Sequence, residues 1–146
     1  MKLLNIIFNS ISGQREENIK STNTNITIDY LEIEKEKIEI LKDTDVIKIS
    51  FKLNIEYSAG NKDKEKEAKA GHVSFEGKAL LSANKEESKE LMKIWKKKEV
   101  PAALKATLFN TLIKRCTPKA LLIEEELNLP FHASIPQLRP QPQANN

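Results

Sequence analysis

Three kinds of residue in this chain are candidates for proton transfer, metal binding or nucleophilic attack: the histidines His72 and His132, the cysteine Cys116, and the glutamate run Glu124, Glu125 and Glu126. Their spacing argues against each use. A zinc-type site needs three or four ligands, commonly delivered in close pairs, and no cysteine or acidic residue stands at such spacing from either histidine. Cys116 ends an apolar helical face, where the negative end of the helix dipole raises a thiol pKa, so a packed thiol is expected rather than a nucleophile. The three glutamates could serve as acid or base only beside a partner in a pocket, and solvated helix charge is the expectation. Gly13, Gly60, Gly71 and Gly77 are dispersed, and no Walker loop, GxGxxG or GxSxG is present. Lys96, Lys97 and Lys98 read as a helix-end charge run. No enzyme, no catalytic residue, no metal site and no cofactor are expected.

The bulk properties point the same way. The chain has 146 residues with 24 basic and 21 acidic side chains, a net charge of +3. That balance does not demand nucleic acid. One cysteine cannot close an intramolecular disulfide, which places the chain by expectation in the reducing cytoplasm. The apolar run Met1 to Ile11 is interrupted by Asn5 and Asn9 and followed by Gln14, Arg15, Glu16 and Glu17, so it is expected to be an arm and not a signal sequence. No stretch approaches the roughly 20 apolar residues that cross a bilayer, and membrane insertion is not expected.

The element most plainly written is a strand. From Ile47 to Tyr57 every odd position is large and apolar (Ile47, Ile49, Phe51, Leu53, Ile55, Tyr57) and every even one is polar. Side chains alternate across a pleated strand, so these residues describe a ribbon of roughly 35 Å with one wet face. Ile26, Ile28 and Tyr30 form an earlier strand whose parity changes at Leu31 and Ile33, the mark of a bulge or of a crossover. Glu32 to Lys42 fits neither strand nor helix cleanly. Ser58 to Lys66 reads as a hairpin loop. Val73, Phe75, Gly77, Ala79 and Leu81 then form a second long strand, in which Gly77 signals a bulge or a close backbone approach.

The period changes at Asn84, which with Glu87 makes a capping box ahead of Leu91, Met92 and Trp95. Pro101 starts a helix to about Arg115. On a wheel, Leu104, Leu108, Leu112, Cys116, Phe109, Ala102, Ile113 and Ala106 spread over roughly 200°, twice the stripe of a simple surface helix. The arc predicts a second partner, and Leu104, Leu108, Phe109, Leu112 and Ile113 are the candidate oligomer interface. Thr117 and Pro118 predict a break and a further short helix. Leu127 to Leu138 is apolar but broken by Pro130 and Pro136. Residues 1–17 are thus expected as an apolar arm, 18–138 as one domain, and 139–146 as a disordered tail.

In order and local character the chain resembles the SecB family of export chaperones over most of Ile26 to Leu138. The residues carrying the likeness are Val73-Ser74-Phe75-Glu76-Gly77, the proline-started helix Pro101 to Arg115, and Leu127-Asn128-Leu129-Pro130-Phe131. The resemblance implies an α+β fold, a four-stranded antiparallel sheet with helices on one face, and a homo-oligomer. It implies an ATP-independent holdase that binds unfolded or precursor polypeptides in apolar grooves. By place in the fold, Ile38, Ile40, Leu41, Leu127, Leu129, Phe131 and Ile135 would line the groove. Family members are typically acidic where they dock the translocase motor, whereas this sheet mixes Lys48 and Lys52 with Glu56, so motor docking is not expected. A dedicated partner-binding or assembly role of the toxin–antitoxin type is the alternative, with a nucleic-acid-binding sheet protein more distant.

Overall fold

The alternation around Ile47–Tyr57 dictates a sheet with one buried face, and the computed structural model builds the chain around it. Residues 1–16, 22–37, 43–59, 68–134 and 136 are described. Four strands, β1 (Lys2–Arg15), β2 (Thr22–Lys37), β3 (Thr44–Ala59) and β4 (Ala68–Asn84), precede two helices, α1 (Lys85–Trp95) and α2 (Ala102–Glu126). The strands form one antiparallel sheet in the order β1-β4-β3-β2.

Ile47, Ile49, Phe51, Leu53, Ile55 and Tyr57 of β3 and Val73, Phe75, Ala79 and Leu81 of β4 share the buried face with Leu91 and Trp95 of α1 and the inner row of α2. Both helices therefore cover the same side, giving the α+β arrangement of a sheet with helices on one face. The opposite face is wet: Lys48 pairs with Glu36 at 2.8 Å, Ser74 donates to Asn54 at 2.7 Å, and Asn54 donates to Glu56 at 3.0 Å.

The N-terminal segment expected as an arm is a full strand. β1 pairs with β4 from Lys2↔Ser82 to Arg15↔Gly71, so the sheet begins inside residues 1–17. Two bulges, at Leu4 and Asn9, break the period that would have shown it as a strand. The parity change at Leu31 is likewise a bulge: Tyr30 faces Phe51, Glu32 faces Ser50, and Leu31 has no partner. Gly77 marks a close approach. A Cβ there would run into the carbonyl of Ile7 on β1, so only glycine lets the two backbones pair at that point.

The capping box is present in both halves: the Asn84 side chain accepts from the Glu87 amide at 2.8 Å, and the Glu87 carboxylate accepts from the Asn84 amide at 3.1 Å. The break expected at Thr117-Pro118 is absent, and α2 runs unbroken for 25 residues. Pro118 cannot donate to the carbonyl four residues back, that of Lys114, but both residues are exposed, which lowers the cost of the lost bond. The Thr117 hydroxyl donates to the Ile113 carbonyl at 2.6 Å and occupies the ladder at the same turn. The tail from 139 lies outside the described residues.

Candidate functional site

The inner row of α2 is Leu104, Leu108, Leu112, Cys116, Ala120 and Glu124, each four residues after the last and each buried. A step of four residues advances 400°, so the row drifts about 40° per step and sweeps about 200° along the helix. Leu104, Leu108, Leu112 and Cys116 of the arc read from the wheel belong to this inclined stripe, which a twisted sheet can cover alone, whereas Ala102, Ala106 and Phe109 are exposed beside it and Ile113 is half-buried. Of the five candidate interface residues, Leu104, Leu108 and Leu112 are 6%, 1% and 0% exposed, sealed by the chain's own sheet. Only Phe109, 44% exposed, and the half-buried Ile113 remain available to another molecule.

The two flanks of that row differ. On one, Arg115 and Lys119 lie over the ring of Phe8 at 6.0 and 5.5 Å, and Ile123 and Leu127 sit against Gly13, so this flank faces β1. The other flank carries Phe109 and Ile113 and by helical geometry looks toward β2, the opposite edge of the sheet. There Ile26, Ile28 and Tyr30 turn to the helix side but are only half-buried, packed on the core without being closed over. At the α1 end a cavity of about 420 Å³ is lined by apolar Ile28, Tyr30, Trp95 and Val100 and by charged Asp29, Lys98, Glu99 and Lys105. Lys98 adopts a left-handed φ of 59° and sets its ammonium over the Trp95 ring at 4.9 Å. Burial pushes the Tyr30 phenol above its ordinary pKa. The cavity is lined by charged side chains of both signs as well as by apolar ones, and no reacting constellation stands there among the described residues.

A second assembly closes the other end of α2, and sequence reasoning missed it. Glu124, read as solvated charge, is 0% exposed. Its carboxylate accepts from the Tyr57 hydroxyl, from the His132 backbone amide at 3.1 Å, and from His132 Nδ1 at 2.9 Å. His132, read as an ordinary polar residue, has a side chain only 3% exposed. Leu129 is buried, its amide bonded to the Glu124 carbonyl at 2.8 Å and its methyl 3.0 Å from where a Cβ on Gly71 would stand. The signal was present: the row 104, 108, 112, 116, 120 continues to 124, and a tyrosine at a core position of β3 needs a buried partner for its hydroxyl. No third metal-ligating residue joins the pair among the described residues.

Of the residues expected to line a groove, Leu127 is half-buried, Leu129 buried and Phe131 exposed. Ile38, Ile40, Leu41 and Ile135 lie outside the described residues. Cys116 is buried, as a packed thiol should be. Burial drives its pKa up to about 12, against the lowering effect of Lys119 and Arg115. No described helix is long and apolar enough to cross a membrane.

No protein-family model matches the chain, and no curated protein matches it. Among solved structures the chain is similar to a SecB-like chaperone of Mycobacterium tuberculosis in complex with a ChAD peptide from the HigA1 antitoxin. The identity is 16% and the TM-score 0.48, over 96% of this chain and 92% of that one.

Proposed function

We propose that this chain is a SecB-like holdase, which binds non-native polypeptide in the groove between β2 and α2 by burial of apolar side chains and releases it by mass action, without nucleotide. The observation that carries this reading is the half-buried face of Ile26, Ile28 and Tyr30 on β2, with Ile28 and Tyr30 lining a cavity shared with Trp95 and Val100. Apolar surface left partly uncovered in a chain with a complete core serves contact with another chain. Each apolar side chain that a client buries there contributes roughly 1.5–3 kcal/mol when fully covered, without demanding a particular sequence. Lys98 and Lys105 at the cavity would take a polar or acidic end.

A cytoplasmic holdase serving export precursors is the form of this proposal closest to the family the sequence resembles. Self-association fits it too: β1 is an edge strand that exposes Leu4, Ile7 and Ile11, and Phe109 is exposed on α2.

The test is light scattering of a chemically denatured precursor diluted into buffer with and without the protein, in the absence of ATP. Suppression of aggregation near stoichiometric ratios supports the holdase. No suppression by protein that remains folded overturns it and transfers the groove to one dedicated partner.

A further inference from the structure

After α2 the chain does not leave the domain. Asn128 turns it back through a left-handed φ of 52°, and residues 128–134 form a strap held to the domain through Leu129 and His132. Two attachments hold it. Leu129 is buried over Gly71, its methyl 3.0 Å from where a Cβ on β4 would stand. The amide and Nδ1 of His132 both reach the buried carboxylate of Glu124. Pro130 has no amide to give, and Phe131 is exposed. Beyond Leu129, every described polar contact between strap and domain passes through Glu124.

We propose that the strap is a displaceable self-ligand, and that the seat formed by Gly71, Tyr57 and Glu124 is a peptide-binding site for segments with leucine-like side chains followed three residues later by a basic residue or histidine. The proposal rests on the polypeptide-binding reading above and names the ligand chemistry at the Tyr57 end of the sheet. The selectivity follows from the carboxylate. Glu124 is fully buried, and eviction of the strap takes away the His132 amide and Nδ1 and leaves the Tyr57 hydroxyl as its one described side-chain donor, so a segment that evicts the strap must replace those donors as well as fill the seat. A segment with an acidic or aliphatic residue at the fourth position satisfies the seat but abandons Glu124. The strap is tethered and so competes at high effective concentration, which keeps the site closed to weak ligands.

The test uses the full chain and a fluorescein-labelled peptide of sequence ELNLPFHA, which matches Glu126–Ala133. Anisotropy titrations are run with the native chain and with the L129S and H132A variants. Hydrogen exchange of the amides of 128–133 reports whether each variant frees its strap. The expected result is that a freed strap raises peptide affinity at least about tenfold, as removal of a tethered competitor should. Peptides carrying the L129S or H132A change should lose a similar factor. In the native chain, saturating peptide should deprotect the strap amides. A freed strap with no gain in peptide affinity overturns the proposal. So does a strap that stays protected in both variants, since the two attachments would then not be what holds it. The refolding assay on the same samples separates the two readings. Suppression of aggregation without peptide exchange removes this site alone, and peptide exchange without suppression removes the holdase.

Discussion

The hydroxyl of Tyr57 donates to the carboxylate of Glu124 across 67 residues of sequence, joining the end of β3 to the last turn of α2 inside the core. Tyr57→Phe keeps the ring and deletes one of the donors to a buried charge. It should destabilise the fold by about 1–3 kcal/mol, read as a lower midpoint in urea at unchanged slope. An unchanged midpoint would show that the contact is not made.

The same contact sets an alkaline limit. Burial, then the hydrogen bond to Glu124 and its charge, hold the Tyr57 phenol far above its ordinary pKa. A raised folded-state value favours the neutral phenol. Its contribution to stability is complete below the unfolded value of about 10 and is lost as pH rises beyond it. With only two tyrosines in the chain, Tyr30→Phe leaves Tyr57 as the sole phenol. In that variant, phenolate absorbance should appear only together with loss of circular dichroism at alkaline pH.

Cys116 should resist alkylation. With its thiol pushed up to about 12 by burial, the thiolate that iodoacetamide needs is nearly absent at neutral pH. Intact mass measurement should show the adduct accumulating at the rate of unfolding and reaching completion in denaturant. Rapid modification of folded protein would place the thiol at the surface.

Leu108 and Phe109 are neighbours with opposite expected effects. Leu108 is buried in the inner row, and Leu108→Ala should cost about 2–5 kcal/mol by leaving a cavity. Phe109 is exposed on the groove flank, and Phe109→Ala should move stability by no more than about 0.5 kcal/mol while weakening client suppression in the refolding assay.

Gly77→Ala tests the pairing of β1. A methyl at that position meets the backbone of Ile7, which cannot rotate away. A cost of about 1–3 kcal/mol is expected, with faster hydrogen exchange concentrated in β1. A neutral substitution would mean that β1 is less tightly paired than described.

The strands that lie at the centre of the sheet were plain in the sequence because both of their neighbours enforce strict alternation. Ile47 to Tyr57 and Val73 to Leu81 could be read residue by residue, as could the Asn84 and Glu87 cap. The edges were harder. Bulges at Leu4, Asn9 and Leu31 each shift the period by one residue, so β1 looked like an arm and the second half of β2 fitted no period. Pro118 looked like a helix break because its cost depends on whether the freed carbonyl meets water, which only the fold decides. The wide arc of α2 merged the inclined buried row with Ala102, Ala106, Phe109 and Ile113 beside it, because a wheel projection does not separate the two. Glu124 and His132 were hidden by their charge: polarity argued for solvent, while the partners that make burial tolerable lie 67 and eight residues away.

The bulges that obscured those edges have a further effect. An exposed edge strand is a template on which other strands stack into fibrils, and such growth needs an uninterrupted ladder of amides and carbonyls. β1 is broken twice and β2 once, and the second half of β2 carries Glu32, Glu34, Lys35, Glu36 and Lys37 within six residues. Neither margin of the sheet therefore offers the uninterrupted ladder on which a fibril could grow.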